Sequence, residues 1–429
     1  MKRFRLISHL FVLAALAMPS ALQAAEVRVA AEPGALLRAI ENAQAGDRLR
    51  LEPGQHEGPV VITVPLVLDG GDAATLSGSG TGSVVTIEAP DVTVKGLTIT
   101  GSGLSAETLD AGVKLLKPAR NAVVSGNRIL DNLVGVDVHG AKDAKVLDNL
   151  IEGRRDLRMN ERGNGIYVWN SPGLLAEGNT IRYGRDGIFV NNSHQDVFRR
   201  NTFEKLRFAV HYMHGNSGVI EDNVSIGNDI GYALMFSKRL RVANNVSIND
   251  ADHGLMLNFA NQAEVAGNYV RGGGEKCLFI YNASKNSITG NRFEACEIGV
   301  HFTAGSERND FAGNAFIANR TQVKYVGTRH LDWSTGGRGN YWSDHSAFDT
   351  NGDGVAEAAY RPNDMMDQIL WTQPAAKLLT GSPAVQLLSF TQSRFPALLP
   401  GGVVDTAPLM HAPALDLPEA AAQFLGEKG

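Results

Sequence analysis

Short apolar–polar alternations dominate the chain from about residue 110 to residue 325, and no long run shows the 3.6-residue period of a helix. The strands read VKLL, VDVH, IYVW, IFVN, VHYM, YALM, LMLN, LFIY and VHFT. Each follows a small residue: Gly112, Gly135, Gly165, Gly187, Ala209, Gly231, Gly254, Cys277 and Gly299. Their first and third positions are nearly all Val, Ile, Leu, Phe or Tyr. Successive side chains of a strand point to opposite faces, so these positions face inward. The second and fourth positions face outward.

A second phrase runs in phase with the strands: VSGNRI, VLDNLI, AEGNTI, FRRNTF, IEDNVS, VANNVS, VAGNYV, ITGNRF and FAGNAF. Its asparagines are Asn127, Asn149, Asn179, Asn201, Asn223, Asn245, Asn268, Asn291 and Asn314, spaced 22 or 23 residues apart except for one step of 30. The charged segment GRRDLRMNERGNG (153–165) supplies the longer step. A fixed step of this size marks a solenoid. The pattern predicts an all-β, right-handed parallel β-helix of about ten coils, each coil being one turn of three short strands, with coils stacked about 4.8 Å apart. The asparagines then form a ladder inside one turn, a structural role.

Solenoids need caps. Residues 34–54, GALLRAIENAQAGDRLRLEPG, carry helical apolar spacing at Leu37, Ile40 and Ala43 and suit an N-terminal cap. Residues 1–24 read as an export signal, with Lys2, Arg3 and Arg5 before an apolar run that closes on small residues near Ala24. The expected division is 1–24 signal, 25–58 cap, 59–325 β-helix, 326–381 an aromatic and Asp-rich loop region, and 382–429 an irregular, apolar extension that caps the helix or meets a membrane partner. The loop 330–345, HLDWSTGGRGNYWSDH, is dense in aromatics and suits a lid.

The bulk composition narrows the function. Hydrophobic residues make up 43% and the net charge is −5, which argues against both disorder and nucleic-acid binding. The two cysteines, Cys277 and Cys296, are expected to be one buried thiol and one in a turn, although export permits a disulfide.

Aligning the strands turns the outward positions into columns. The second position runs Lys114, Asp137, Tyr167, Phe189, His211, Ala233, Met256, Phe279, His301; the fourth runs Leu116, His139, Trp169, Asn191, Met213, Met235, Asn258, Tyr281, Thr303. Met213 and Met235 become neighbours on adjacent coils. His211 and Met256 stand two coils apart in the next column, and His214 begins the turn beside them. Of nine methionines, Met1 and Met18 lie in the signal, and three of the other seven fall on this patch. Thioethers with imidazoles are soft ligands that select Cu(I). An apolar docking surface that uses Met for adaptability fits the same residues. The aromatics Tyr167, Trp169, Phe189, Phe279 and Tyr281 suit partner binding, or stacking on sugars. A polysaccharide lyase or hydrolase of this fold needs two or three converging carboxylates. The two columns hold one acid, Asp137, which counts against catalysis there.

The segment DTNGDG places Asp349, Asn351 and Asp353 at alternate positions, the opening of a Ca²⁺ loop. The twelfth position is Tyr360, so a full EF-hand is not expected. A shorter calcium loop using Glu357 or Asp364, or a plain Asx-rich turn, remains.

The phrases LRAIENAQAGDRLRLEPGQHEGPVVI, GNYWSDHSAFDTNGDGVAEAAYRPNDMMDQIL, SPAVQLLSFTQSRFP and GGVVDTAPL, together with the 22-residue coils, resemble the NosD family of periplasmic maturation proteins for nitrous oxide reductase. The resemblance covers nearly the whole chain. It implies a non-enzymatic periplasmic protein of denitrification that helps load the copper–sulfide centre of that reductase. The implied partners are the permease and ATPase subunits of a membrane ABC transporter, an outer copper chaperone and the reductase itself. The transporter would hold the protein at the inner membrane. No family ligand motif is carried over; the ligand residues rest on the strand alignment alone.

Overall fold

The computed structural model describes residues 24–303, 305–327, 329–379, 382–394 and 401–425. The expected export signal lies almost wholly outside them. The chain winds into a parallel β-solenoid of about 14 turns with about 23 residues per turn, more than the ten coils expected. The difference lies at the N-terminus. Parallel stacking begins at Glu26–Val29, which pairs with Arg48–Leu51, well before residue 59. The early coils lack the Asn phrase, so the repeat is hard to see there.

One turn illustrates the rest. Phe208–Met213 contributes to a 12-stranded sheet, and Val219–Glu221 and Val224–Ile226 contribute to a second sheet of 24 short strands. Each strand pairs in parallel with its equivalent one coil away, as Val210 with Tyr232 and Met213 with Met235. The inward positions are closed to solvent: Val210, Tyr212, Tyr232 and Leu234 have no exposure. The small residues preceding the strands are forced by close approach. A Cβ on Gly165 would lie 2.3 Å from Cγ2 of Ile181.

The asparagine ladder forms as expected. Each side-chain amide donates to the Oδ1 of the next asparagine at 2.8 to 3.0 Å, from Asn127 through Asn314. The residue just before each rung takes a left-handed conformation: Gly126, Asp148, Gly178, Asp222, Asn244 and Gly267 all have φ between 52° and 68°. Gly, Asn and Asp tolerate that region best, which is why the phrase reads G-N, D-N or N-N in every coil but one, where Arg200 takes the same conformation before Asn201.

The N-terminal cap is the helix Ala35–Asn42. Ile40 and Ala43 are buried as expected, whereas Leu37 is 47% exposed and Leu36 takes its place on the inward face. At the other end the aromatic loop is a plug and not a lid. Trp333 and Trp342 are buried, and they stack on Phe311 at 3.9 Å and Phe316 at 4.3 Å. The ladder continues to Asn340, which the repeat did not reveal, and ends on Asp405. Asp405 is fully buried and accepts from the Asn340 backbone N–H (2.7 Å) and from Nε1 of Trp342 (2.8 Å). Residues 401–409 therefore join the core: Gly402–Val404 pairs with His330–Asp332, and Val403 and Leu409 are buried. Farther on, Leu415, Ala421 and Phe424 lie over Val224, Val246, Ile248 and Tyr269 of the larger sheet. Within the expected extension, the helix Pro383–Arg394 leaves Leu387 and Phe390 largely exposed.

The expectation of two separate thiols is overturned. Cys277 and Cys296 form a disulfide, with Sγ–Sγ 2.05 Å and Cα–Cα 5.7 Å. Their separation of 19 residues is nearly one coil, so the winding returns the chain beside itself within bonding reach. Among the described residues, no helix is long and apolar enough to cross a membrane.

Candidate functional site

The strand alignment holds residue for residue on the outer face of the 12-stranded sheet. His211 pairs with Ala233 and Ala233 with Met256; Met213 pairs with Met235 and Met235 with Asn258. The two thioethers are thus register neighbours, and Met256 packs in one apolar cluster with Met235, Ala233, Ile230, Phe208 and Phe279. Outward does not mean open here. His211 is 8% exposed, Met256 7% and Ala233 0%, because the side chains of this face cover one another. Met213 and Met235 are half-buried, and His214 is exposed in the turn.

Rings border the methionines on three sides. Tyr167, Phe189 and His211 form a continuous column, with centroids 5.5 and 4.9 Å apart. Trp169 is exposed and stacks on His139 at 4.5 Å. Beyond the methionines, Phe279 contacts His253, His301 and Tyr281. Burial, reinforced by Lys324 and Lys276, lowers the His301 imidazole to about 4, so it is neutral at pH 7. On the third side His214 and Tyr281 were read from sequence, and Phe236 and Phe259 between them were missed. His214 stacks on Phe236 and Phe236 on Phe259, each at 5.2 Å, and Tyr281 follows at 5.9 Å. His214, Phe236 and Phe259 all sit at positive φ (50° to 54°), where flanking coils place Asn170, Asn192 and Asn282. The same conformation recurs at turns throughout the solenoid, as at Tyr183, Arg200 and Lys205, so it belongs to the winding of the coils. The signal was available, as non-Asn residues at a turn position otherwise held by Asn.

A second omission is a carboxylate. The strands begin one residue before the small position, and that residue also faces outward: Asp186, Phe208, Ile230, His253 and Lys276 align there. Asp186 has no exposure and meets Nδ1 of His211 at 3.2 Å, while Arg207 donates to both its oxygens at 2.8 and 2.7 Å. Burial opposes its charge, yet the bonds from His211 and Arg207 prevail and hold its carboxyl below the ordinary Asp value. Asp137, the acid read from the columns, is fully buried and paired with Lys114 at 2.9 Å; burial raises its carboxyl.

The Asp349 loop is closed on itself. The Asp349 carboxylate accepts from the backbone N–H groups of Gly352 (2.6 Å) and Gly354 (2.8 Å), and Asn351 Oδ1 accepts from the N–H of Asp353. Among the described residues, no group of three or more His, Cys, Asp and Glu is placed to hold a metal ion. Thioethers fall outside that donor set. The residues that suit a metal are the soft ones, His211, Met213, Met235 and Met256, with the buried Nε2 of His211 lacking any hydrogen-bond partner.

Comparison with known proteins separates fold from family. The solenoid resembles a family 28 exopolygalacturonase from Yersinia enterocolitica (TM-score 0.55, 12% identity, 71% of this chain and 77% of that one). It also resembles the periplasmic alginate epimerase AlgG (TM-score 0.52, 12% identity, 70% and 80%). At such identities these likenesses show the fold alone. A family model described as "Periplasmic copper-binding protein (NosD)" matches residues 147–347, the stretch that carries the methionine patch. Two proteins named "Probable ABC transporter binding protein NosD" align along most of their length. The one from Stutzerimonas stutzeri is 39% identical over 381 residues (86% of this chain, 87% of the relative), and the one from Pseudomonas aeruginosa is 40% identical over 387 residues (87% and 90%). The family names a binding protein and not an enzyme, and the chain belongs to it: this is a member of the NosD family of periplasmic copper-binding proteins.

Proposed function

We propose that this protein takes up Cu(I) on the outer face of the 12-stranded sheet and works with an ABC transporter to assemble the copper–sulfide centre of nitrous oxide reductase. The observation that carries the reading is the register pairing of Met213 with Met235, beside the buried His211 and Met256. Copper is cargo here. Two to four soft ligands hold Cu(I) without strict geometry, which favours passing the ion on. His214 is a further donor at the rim. The ring strip His214–Phe236–Phe259–Tyr281 adjoins the methionines and supplies a docking surface for a partner that delivers or receives the ion. On this reading the metal patch and the docking surface are two parts of one face. An outer copper chaperone, the transporter permease with its ATPase, and the reductase are the partners.

The double change Met213→Leu with Met235→Leu tests it. The swap nearly conserves volume and costs under about 1.5 kcal/mol per site in packing. Cu(I) affinity of the purified protein is expected to fall more than tenfold, and reductase matured with the variant to lack its copper–sulfide centre. If the variant binds Cu(I) as the parent does and active reductase still forms, the patch is a docking surface only.

A further inference from the structure

The two ring nitrogens of His211 have opposite surroundings. Nδ1 lies 3.2 Å from Oδ2 of Asp186, a carboxylate with no exposure whose two oxygens are both gripped by Arg207. A carboxylate held this way accepts only, so Nδ1 carries the proton and donates. In the neutral ring Nε2 then keeps its lone pair. Nε2 is buried, and no hydrogen-bond partner reaches it. Buried polar atoms are nearly always paired, so an unpaired one asks for a ligand or an explanation.

What surrounds that nitrogen is soft and apolar. Phe189 and Phe208 stand edge-on to the imidazole, with centroids at 4.9 and 4.7 Å. The next coil offers only the methyl of Ala233, and the coil after that brings Met256. Ala233 faces outward yet has no exposure, so larger neighbours lean over it; Met256 and Met235 share its cluster. A small residue between His211 and Met256 leaves about two coil spacings, roughly 9.6 Å at the backbone, for an imidazole and a thioether to meet on one ion.

From this geometry we infer that Asp186 is a positioning residue for copper capture: it fixes the tautomer of His211 so that Nε2 faces a Cu(I) held with Met256 and Met235 above Ala233. The inference rests on the copper reading of this face. Metal-binding histidines commonly donate their other nitrogen to a carboxylate, which orients the ring and makes the ligand more basic. Arg207 serves the same end one step back, by holding the carboxylate.

The test combines a spectrum with a titration. In protein labelled with ¹⁵N-histidine, with His211 assigned through His211→Gln, long-range ¹H–¹⁵N correlations at neutral pH are expected to show a protonated Nδ1 and a bare Nε2. Asp186→Asn should mix or reverse the tautomer and weaken Cu(I), in competition with a chromophoric chelator, by about ten- to a hundredfold. Ala233→Leu should weaken Cu(I) while leaving the tautomer unchanged. A wild-type spectrum with Nε2 of His211 protonated overturns the inference. An Asp186→Asn protein that keeps both tautomer and affinity also overturns it, and if Met213→Leu with Met235→Leu still abolishes binding, the copper reading survives that loss. If the wild-type protein takes up no Cu(I), the copper reading fails and the inference fails with it.

Discussion

Asn223→Ala asks the solenoid how much one rung of its ladder is worth. Asn223 has no exposure and its side chain makes four hydrogen bonds. Oδ1 accepts from the backbone N–H and the side-chain amide of Asn201, both at 3.0 Å; Nδ2 donates to the Phe198 carbonyl and to Oδ1 of Asn245, both at 2.9 Å. Two of these partners keep another bond after truncation. The Asn201 amide still reaches the Ala176 carbonyl, and Asn245 Oδ1 still accepts from the backbone of residue 223. The Asn201 N–H loses its acceptor inside a buried turn, and the Phe198 carbonyl, in a strand paired with Val219–Glu221, loses one of its donors. Each buried group stripped of its partner costs about 1–3 kcal/mol, and each further lost bond about 1 kcal/mol. Non-additivity trims the sum, so the expected loss is about 3–6 kcal/mol, beyond what most substitutions do. Urea unfolding followed by circular dichroism, with the slope unchanged, measures it. A loss below about 1 kcal/mol would mean that water or a shifted backbone replaces the rung, and the ladder would then follow from the fold without holding it together. Asn223→Asp, nearly the same shape, sets an oxygen against two acceptors and should cost at least as much at pH 7.

Three further outcomes follow from other parts of the molecule. Replacing Cys277 and Cys296 by Ser opens a 19-residue loop and should lower stability by about 3 kcal/mol on the chain-entropy relation, read as a lower urea midpoint; thiol titration of the denatured parent should find no free thiol. Asp405→Ala leaves the Trp342 indole and the Asn340 N–H without their buried acceptor, so about 2–4 kcal/mol should be lost, with faster amide exchange confined to the C-terminal coils. Burial lifts the Asp196 carboxyl to about 7 and that of Asp250 to about 6, against 3.8 for the free side chain. The folded state therefore holds more protons than the unfolded one between these values. Stability is full below about pH 4 for these groups and declines as pH rises through 6 to 7; Asp196→Asn should flatten that decline, and an unchanged pH profile would refute the assignment.

The parts of this molecule that repeat were legible in the sequence. A parallel solenoid converts a fixed step along the chain into a fixed step in space, so aligning strands by their small residue placed Met213 beside Met235 and His211 two coils from Met256, as the register shows. What lay outside the repeat was not. Asp405 ends the ladder 65 residues after Asn340, and nothing local in GGVVDTAPL announces a buried acceptor for an indole. Asp186 was lost for a different reason. The reading of each strand stopped at its small residue, where strict alternation would turn the preceding residue inward; the strand pairing skips that small residue, and the acid comes to lie outward beside His211.

Exposure was the harder quantity, and it bears most on the chemistry. Alternation decides which way a side chain points, but neighbours one and two coils away decide whether water reaches it. Ala233 is the clearest case, since its outward methyl is wholly covered because Met256 and Met235 pack over it. That covering is what a Cu(I) carrier needs. An open methionine pair would leave the ion to water and oxidant, whereas a sealed one would not release it. This face lies between those limits, with His211 and Met256 nearly enclosed, Met213 and Met235 half-buried, and His214 with the Phe236–Phe259 strip exposed at the edge. On the copper reading proposed above, such a gradient from enclosed to open donors would give an ion a direction of travel between the exposed rim and the enclosed His211 beside Asp186.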